Sequence, residues 1–325
     1  MLHVGPCDTP GGMATVMHTL ADHPPEGWEA NLLPSHAPGG LWSKWSAYRQ
    51  ARRELKRRCN TPSLRPDVVH VHTAADWSWW RKARLIQEVQ SQNIAVVVHF
   101  HSGQFDAWLA KGGARRAQQV KRVLSSSNTR GVVLSSAWEE RLQPMVGALE
   151  VVGNPYRSLD ASAEIGRDNH HLLLLARKDP VKGHAFAVKV AENLRQEFPN
   201  LRLTMTGESH SEHDWVDAVG WVSEEEKTTL LARASILLLP SAFEGQPMAA
   251  LEALSAGLPV CVSDRVVGLP TTVKQARWND VEAWTAAVRE MLLRPTDAST
   301  LQPSVADHTI ERVQQRWGSV YDTLR

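Results

Sequence analysis

The sequence predicts two doubly wound α/β domains, and three observations lead there. Short aliphatic runs alternate with helical stretches along the whole chain, the pattern of parallel strands covered by helices on both faces. At 325 residues the chain is too long for one ordinary domain and long enough for two with separate cores. A turn signal, Gly153-Asn154-Pro155, falls near the middle, and the polar stretch after it, through Asn169, reads as a linker.

Five strands are expected in the first half, at residues 1–5, 68–72, 94–100, 131–134 and 149–152. Five more are expected at 172–176, 201–206, 218–221, 236–239 and 260–263. Ligands of such sheets bind beyond the carboxyl ends of the strands, so the residues that follow each run are the candidates for chemistry.

Composition narrows the class. Charged residues make up 22% and hydrophobic ones 42%, the balance of a globular chain. Cys7, Cys59 and Cys261 form no CxxC pair and no metal-ligand spacing, which suggests reduced thiols in the cytoplasm. No apolar run nears the ~20 residues that span a bilayer, and the first residues do not form a signal peptide. The net charge of +1 hides an asymmetry. Residues 1–156 carry 18 Lys+Arg against 12 Asp+Glu, and the remainder carries 18 against 23. Either the first half meets an anionic partner or solvated faces have clustered there by chance.

Taken in order, the first strand runs into Gly11-Gly12, which would let a phosphate approach the backbone or simply make a tight turn. Residues 41–58 set Trp42, Trp45, Tyr48 and Leu55 near one helical face among seven basic residues and one acid. That helix could lie on an anionic membrane surface, or its aromatics could pack on the core. Beyond the strand at 68–72, Thr73, Ser78, Arg81 and Lys82 fall on the loop and first helical turn. Arg81 and Lys82 read as a phosphate pair on a second substrate or as a plain surface pair.

The next strand ends in His99-Phe100-His101-Ser102-Gly103. With no Cys, Asp or Glu at a zinc-like spacing, His101 is expected to hydrogen-bond in a cleft, and no metal site is expected. His99 is placed on the opposite sheet face if the strand continues that far. In the second half, Arg177 and Lys182 follow a strand, with Gly183 after them, and suit a diphosphate: one is a planar fork and the other a point charge.

The stretch 235–264 is the richest. A strand ends at Pro240, a polar loop carries Glu244, Pro247 is expected at the first helical position, and Glu252 lies in the helix. Amides at Gly245, Gln246, Met248 and Ala249 would lie at a helix N-terminus, which favours anions. An anion site beside two carboxylates fits a ligand with phosphates at one end and hydroxyls elsewhere, as in a sugar nucleotide.

These parts resemble the retaining glycosyltransferases of family 4, which have the GT-B fold of two Rossmann-like domains facing across a cleft. The resemblance rests on Gly11-Gly12, the HxH strand end at His101, the R-x4-K-G pattern of Arg177 and Lys182, Val219-Gly220-Trp221-Val222, and the E-x7-E pair Glu244 and Glu252. The first half also looks like the subset with HxHxAxxxSxxRK followed by HxHGxxF, in which many members build polysaccharides and lipid-linked oligosaccharides; here Ser102-Gly103 replaces the usual Gly after the second His.

The resemblance implies that residues 1–155 take the acceptor and 156–306 the donor, with a helix at about 307–325 crossing back onto the first domain. It implies that Arg177 and Lys182 neutralise the donor diphosphate, helped by amides near Gly12 and by Gln246 to Met248. Glu252 would hold the ribose, Glu244 the transferred sugar, the backbone around Val222 the base, and His101 the donor near the reacting centre. Transfer would need no cofactor or metal beyond the nucleoside diphosphate sugar, a UDP-sugar being favoured.

The acceptor would be a saccharide or lipid-linked saccharide in cell-surface glycan synthesis, and the setting the cytoplasm or the inner face of its membrane. A sugar-nucleotide epimerase, a non-catalytic sugar-nucleotide-binding protein and a nucleic-acid binder are the rivals. The last leaves the E-x7-E segment unexplained, so nucleic acid is not expected as a partner.

Overall fold

The structure is a computed structural model that describes residues 1–157 and 166–325. Part of the stretch read as a linker lies on residues 158–165, outside the described residues. Two compact units emerge: Met1–Pro155 with Ile310–Arg325, and Tyr156–Thr309.

The first unit contains strands β1 (Leu2–Gly5), β2 (Asn31–Pro34), β3 (Val68–Thr73), β4 (Ala95–Phe100), β5 (Thr129–Val133) and β6 (Glu150–Val151). Its helices are α1 (Gly12–Asp22), α2 (Leu41–Asn60), α3 (Trp77–Gln90), α4 (Phe105–Leu124) and α5 (Ser136–Val146). The strands are parallel in the order β2-β1-β3-β4-β5-β6. The order reverses between β1 and β3, so the crevice of this unit opens beyond their carboxyl ends.

The second unit contains β7 (His171–Leu174), β8 (Arg202–Thr206), β9 (Val216–Gly220), β10 (Ile236–Leu239), β11 (Val260–Ser263) and β12 (Lys274–Ala276). Helices α6 (His184–Arg195), α7 (Glu224–Arg233), α8 (Met248–Ser255), α9 (Val281–Leu293) and α10 (Ala298–Leu301) cover it. Its parallel order is β12-β11-β10-β7-β8-β9, with the reversal between β7 and β10. This is the strand order of a dinucleotide-binding sheet.

Strand side chains alternate between two buried faces, which is why the strands read as unbroken aliphatic runs. Leu172, Leu174, Ile236 and Leu238 pack with α6 and α9, whereas Leu173, Leu237 and Leu239 pack with α8. Full burial of each such side chain is worth about 1.5–3 kcal/mol.

A last helix, α11 (Ile310–Asp322), belongs to the first unit. Trp317 lies with its ring 4.4 Å from that of His70 and 5.0 Å from that of His99. The Trp28 indole donates to Asp322 at 3.2 Å, and Gln314 donates to the Pro24 carbonyl at 2.6 Å.

Ten strands were expected and the described residues hold twelve; β2 and β12 are additional, and both are sheet edges with polar or proline-bearing sequences. The stripe of α2 also divides. Tyr48, Ala51, Leu55 and Cys59 are buried, while Trp42 is 81% and Trp45 50% exposed. Helical spacing had placed Tyr48 and the tryptophans on one face, but only the more C-terminal part of α2 has a neighbour to cover it. No described helix is long and apolar enough to cross a membrane.

Candidate active site

In the second unit the loops after β7 and β10 meet at the strand-order reversal. Asp179 caps the single 3-10 turn Pro180–Lys182 by accepting from the Val181 amide at 3.2 Å. Burial works to raise its carboxyl, and the Val181 amide, Arg177 and Lys182 outweigh it, holding Asp179 below its ordinary value. Arg177 forks onto Asp179 Oδ2 at 3.0 and 3.3 Å.

Gly183 then adopts φ +77°, and a Cβ there would lie 2.9 Å from Pro240 Cγ and 3.1 Å from the Pro240 carbonyl. Only glycine lets the turn press against the end of β10. The Ala242 amide closes the contact, donating to the Val181 carbonyl at 2.8 Å.

This contact sets Lys182 Nζ 2.5 Å from Glu244 Oε1. The Ser241 hydroxyl donates to the same oxygen at 2.8 Å, and the Ser263 hydroxyl holds the Ser241 carbonyl at 2.6 Å. Gln246 is buried and donates to the Gly268 carbonyl at 3.2 Å. Pro247 caps α8 with ψ 119° and is not its first helical residue as expected; Met248 is. Gly245 precedes this start in the loop. The extended ψ of Pro247 turns the chain into the helix one residue later.

Glu252 is buried on α8 and meets Lys227 of α7 at 3.0 Å. Burial raises the Glu252 carboxyl above its ordinary value, against the pull of Lys227. Lys227 is a site residue that the sequence reading missed; it lies 25 residues before Glu252 on another helix. It is held in turn by Glu224 at 2.7 Å, inside the turn where the Ser223–Glu226 capping box starts α7. Val222 is half-buried in the loop between β9 and α7, and Trp221 beside it is 71% exposed. A cavity of about 700 Å³ lies along the same β7 loop, lined by Lys178, Val181, Phe186, Pro240 and Trp278 among others.

In the first unit, Gly11 takes φ 148° at the turn from β1 into α1, whose first residue is Gly12. Thr73 ends β3, buried, and its carbonyl accepts from the His101 amide at 2.9 Å. Ser78 accepts from the Ala74 amide at 3.1 Å.

Arg81 and Lys82 lie in the second turn of α3, not the first, and do not act as a pair. Arg81 is half-buried and donates to the Trp77 carbonyl. Lys82 turns inward to the Ser35 hydroxyl, and burial pulls its pKa down to about 7. Consecutive residues on a helix point about 100° apart, so one faces the sheet when the other does not.

The histidines gather where β1, β3 and β4 lie side by side. The register sets His3 opposite His70 and His72 opposite His99. Five rings form two strings. His101 Nε2 meets His72 Nδ1 at 2.9 Å, and His72 Nε2 meets His3 Nδ1 at 3.0 Å. His99 Nδ1 meets His70 Nε2 at 3.1 Å, and His70 Nδ1 meets the Tyr321 hydroxyl at 2.7 Å.

His99 and His101 have ring centroids 4.0 Å apart and share a face, contrary to the expectation that set them on opposite faces. A strand repeats every two residues, so the i and i+2 side chains point the same way. Burial lowers all five rings, His3 and His101 to about 3, leaving neutral imidazoles.

Solved structures with this architecture define the class. Sucrose-phosphate synthase from Thermosynechococcus elongatus superposes with a TM-score of 0.67 at 16% identity, over 99% of this chain and 98% of that one. HepE from Anabaena, in complex with UDP, gives a TM-score of 0.72 at 11% identity over 99% of both chains. These likenesses identify the fold as GT-B.

A model of glycosyltransferase family 4 matches residues 14–157, and one of the group 1 glycosyl transferases matches residues 169–294. The first half of the chain is thus similar to the family 4 glycosyltransferases and the second half to the group 1 glycosyl transferases. Among curated relatives, a glycogen synthase of Mycobacterium tuberculosis is 27% identical over 274 residues, 75% of this chain. The match spans 64% of that relative, so the chain covers just under two thirds of its length. The amylovoran biosynthesis glycosyltransferase AmsK of Erwinia amylovora is 31% identical over 38% of this chain and 35% of its own.

Proposed function

We propose that the protein transfers a sugar from a nucleoside diphosphate sugar, with a UDP-sugar favoured, to a saccharide or lipid-linked saccharide acceptor. The configuration at the transferred carbon is retained, and fixed cations stand where other transferases use a metal. The observation that carries this reading is the Lys182–Glu244 contact at the strand-order reversal of the second unit.

A diphosphate there would draw Arg177 and Lys182 out of their carboxylate pairs, and would free Glu244 to accept from sugar hydroxyls. Glu252, oriented by Lys227, would take the ribose hydroxyls. Gly245, Gln246, Pro247 and Met248 bring backbone to the phosphates at the start of α8. On the first unit, Gly11 and Gly12 offer a backbone turn, His101 a neutral imidazole, and Thr73, Ser78 and Arg81 acceptor contacts beyond β3. Lys82 would act on the acceptor only through Ser35.

Relatives named for amylovoran and O-antigen synthesis support a role in cell-surface glycans, and the UDP held by HepE supports the base. Buried free Cys7, Cys59 and Cys261 suit a reducing cytoplasm. Exposed Leu41, Trp42, Trp45 and Trp77 beside exposed Arg49, Arg53 and Lys56 suit the inner membrane face.

A thermal-shift screen of UDP, GDP and ADP sugars, followed by product analysis with the stabilising donor, tests the reading. Stabilisation by one donor class and transfer with retention are expected. Stabilisation by none, or donor consumption with inversion, overturns it.

A further inference from the structure

Five buried histidines are more than the proposed transfer uses. Only His101 reaches the end of its strand and is partly accessible; His3, His70, His72 and His99 are enclosed between the sheet and α11. Within this cluster the ligand nitrogens of His72, His99 and His101 all lie within 4.8 Å of one another. Moreover, the buried Nε2 of His99 has no hydrogen-bond partner.

We infer that His72, His99 and His101 form a binding site for a divalent first-row transition ion of the zinc, nickel and copper class. Imidazole nitrogens suit these ions, whereas magnesium and calcium take oxygen.

The hydrogen-bond strings assign the atoms. A ligating histidine donates its other ring N–H to a neighbour that fixes its tautomer. His72 can give its Nε2–H to His3 Nδ1, and His99 can give its Nδ1–H to His70 Nε2, which in turn gives its Nδ1–H to the Tyr321 hydroxyl. Both strings then run outward, leaving lone pairs at His72 Nδ1, His99 Nε2 and His101 Nε2 for the ion.

Each ring stays neutral with one proton, so binding exchanges metal-bound waters for nitrogens. The proton between His72 and His101 moves to the outer nitrogen of its ring. Nitrogens around a tetrahedral ion with bonds of about 2.0 Å stand about 3.3 Å apart. His72 Nδ1 and His101 Nε2 stand 2.9 Å apart, and one nitrogen of each of the three rings lies within 4.8 Å of the others, so small ring rotations reach that spacing. The alternative trio, His3, His70 and His72, is wholly enclosed and offers the ion no entry. His101 provides the entry, and a water or anion completes the coordination.

If His101 also serves the proposed transfer, occupancy takes it away from the donor and the ion inhibits. That consequence rests on the function proposed above, while the site itself does not.

The experiment titrates chelator-stripped full-length protein with Co²⁺, followed by its visible absorption, and with Zn²⁺ by calorimetry. A single saturable event with a tetrahedral cobalt spectrum is expected. Removing an outer partner of a ligand already costs about 10–100-fold in affinity, so His99→Gln and His101→Gln are each expected to cost at least about 100-fold.

His101→Gln alters the accessible ring and so guards against a folding defect in the buried variant, with circular dichroism confirming the fold. His210→Gln, at an exposed position of the second unit, should bind as the parent does. No binding tighter than about 1 mM, or equal affinity in the parent and His101→Gln proteins, overturns the site. Binding without inhibition of transfer supports the site and overturns the placement of His101 beside the donor.

Discussion

Lys182 and Glu244 are 62 residues apart in sequence and in hydrogen-bond contact in space, with side chains 20% and 15% exposed. Each neutralises a charge that the other would leave stranded in a poorly hydrated loop. Lys182→Ala is expected to lower stability by about 1–3 kcal/mol, because the carboxylate loses its cation. Adding Glu244→Gln to it should recover more than half of that loss. Urea denaturation of the single and double variants checks the coupling. Transfer should fall by about 10²–10³-fold in both, since neither holds the diphosphate.

Lys227 plays the same part for Glu252 on the neighbouring helix. Lys227→Met should destabilise the protein by about 2–4 kcal/mol at pH 7, because it leaves the Glu252 carboxyl buried without its cation. The Glu252 carboxyl is already raised by burial. The deficit should therefore shrink as the pH falls through its folded-state pKa and the group becomes neutral. Stability curves of the parent and variant that stay parallel down to acid pH would contradict this.

Lys82 gives the opposite pH dependence. Its folded-state pKa is lowered from 10.5 to about 7 by burial. Between those values the unfolded chain holds a proton that the folded chain has lost, so stability rises with pH across the window and the burial penalty is complete below it. Lys82→Met should stabilise by about 2–4 kcal/mol near pH 6, with the gain fading towards pH 10. Thermal melts at three or four pH values measure it.

At Gly183, alanine would meet both a left-handed φ of +77° and Pro240 at 2.9 Å. Gly183→Ala should cost about 1–3 kcal/mol and weaken donor binding by pushing the turn that carries Lys182 away from the end of β10. Binding calorimetry with UDP should register the second effect even if the fold survives.

Trp42 and Trp45 pack edge to face at 5.8 Å, with Arg49 over Trp45 at 4.6 Å, exposed at the start of α2. Trp42→Ser with Trp45→Ser should abolish co-sedimentation with anionic vesicles while leaving the melting temperature within about 2 °C, since surface changes are usually within ±0.5 kcal/mol. Equal failure of the parent protein to bind anionic and neutral vesicles would remove the membrane proposal.

The sheets were legible wherever a strand is central. Residues 236–239 and 260–263 are aliphatic runs bounded by proline or a polar turn, and β10 and β11 occupy those spans. Of the four edge strands, the two that went unread carry no such signal: β2 reads NLLP and β12 reads KQA.

The candidate site was legible as residue types at strand ends but not as partnerships. Asp179 under Arg177, Ser241 under Glu244 and Lys227 beside Glu252 depend on which loops adjoin, and strand order decides that. The inward turn of Lys82 depends on which face of α3 meets the sheet. The histidine cluster is hidden for the same reason. Two HxH spacings and a lone His3 become one group only when β1, β3 and β4 lie in register.

The first unit draws on both ends of the sequence, because α11 roofs the histidine face from residues 310–322. On the ribosome, strands β1 to β6 emerge long before that roof exists, and the second unit can fold in the interval. A nascent chain stalled after residue 309 would therefore lack the cover that Trp317 and Tyr321 give to His70 and Trp317 gives to His99. Completion of the first unit then waits on the docking of a single helix, a late and local event open to chaperones, proteases and free metal ions.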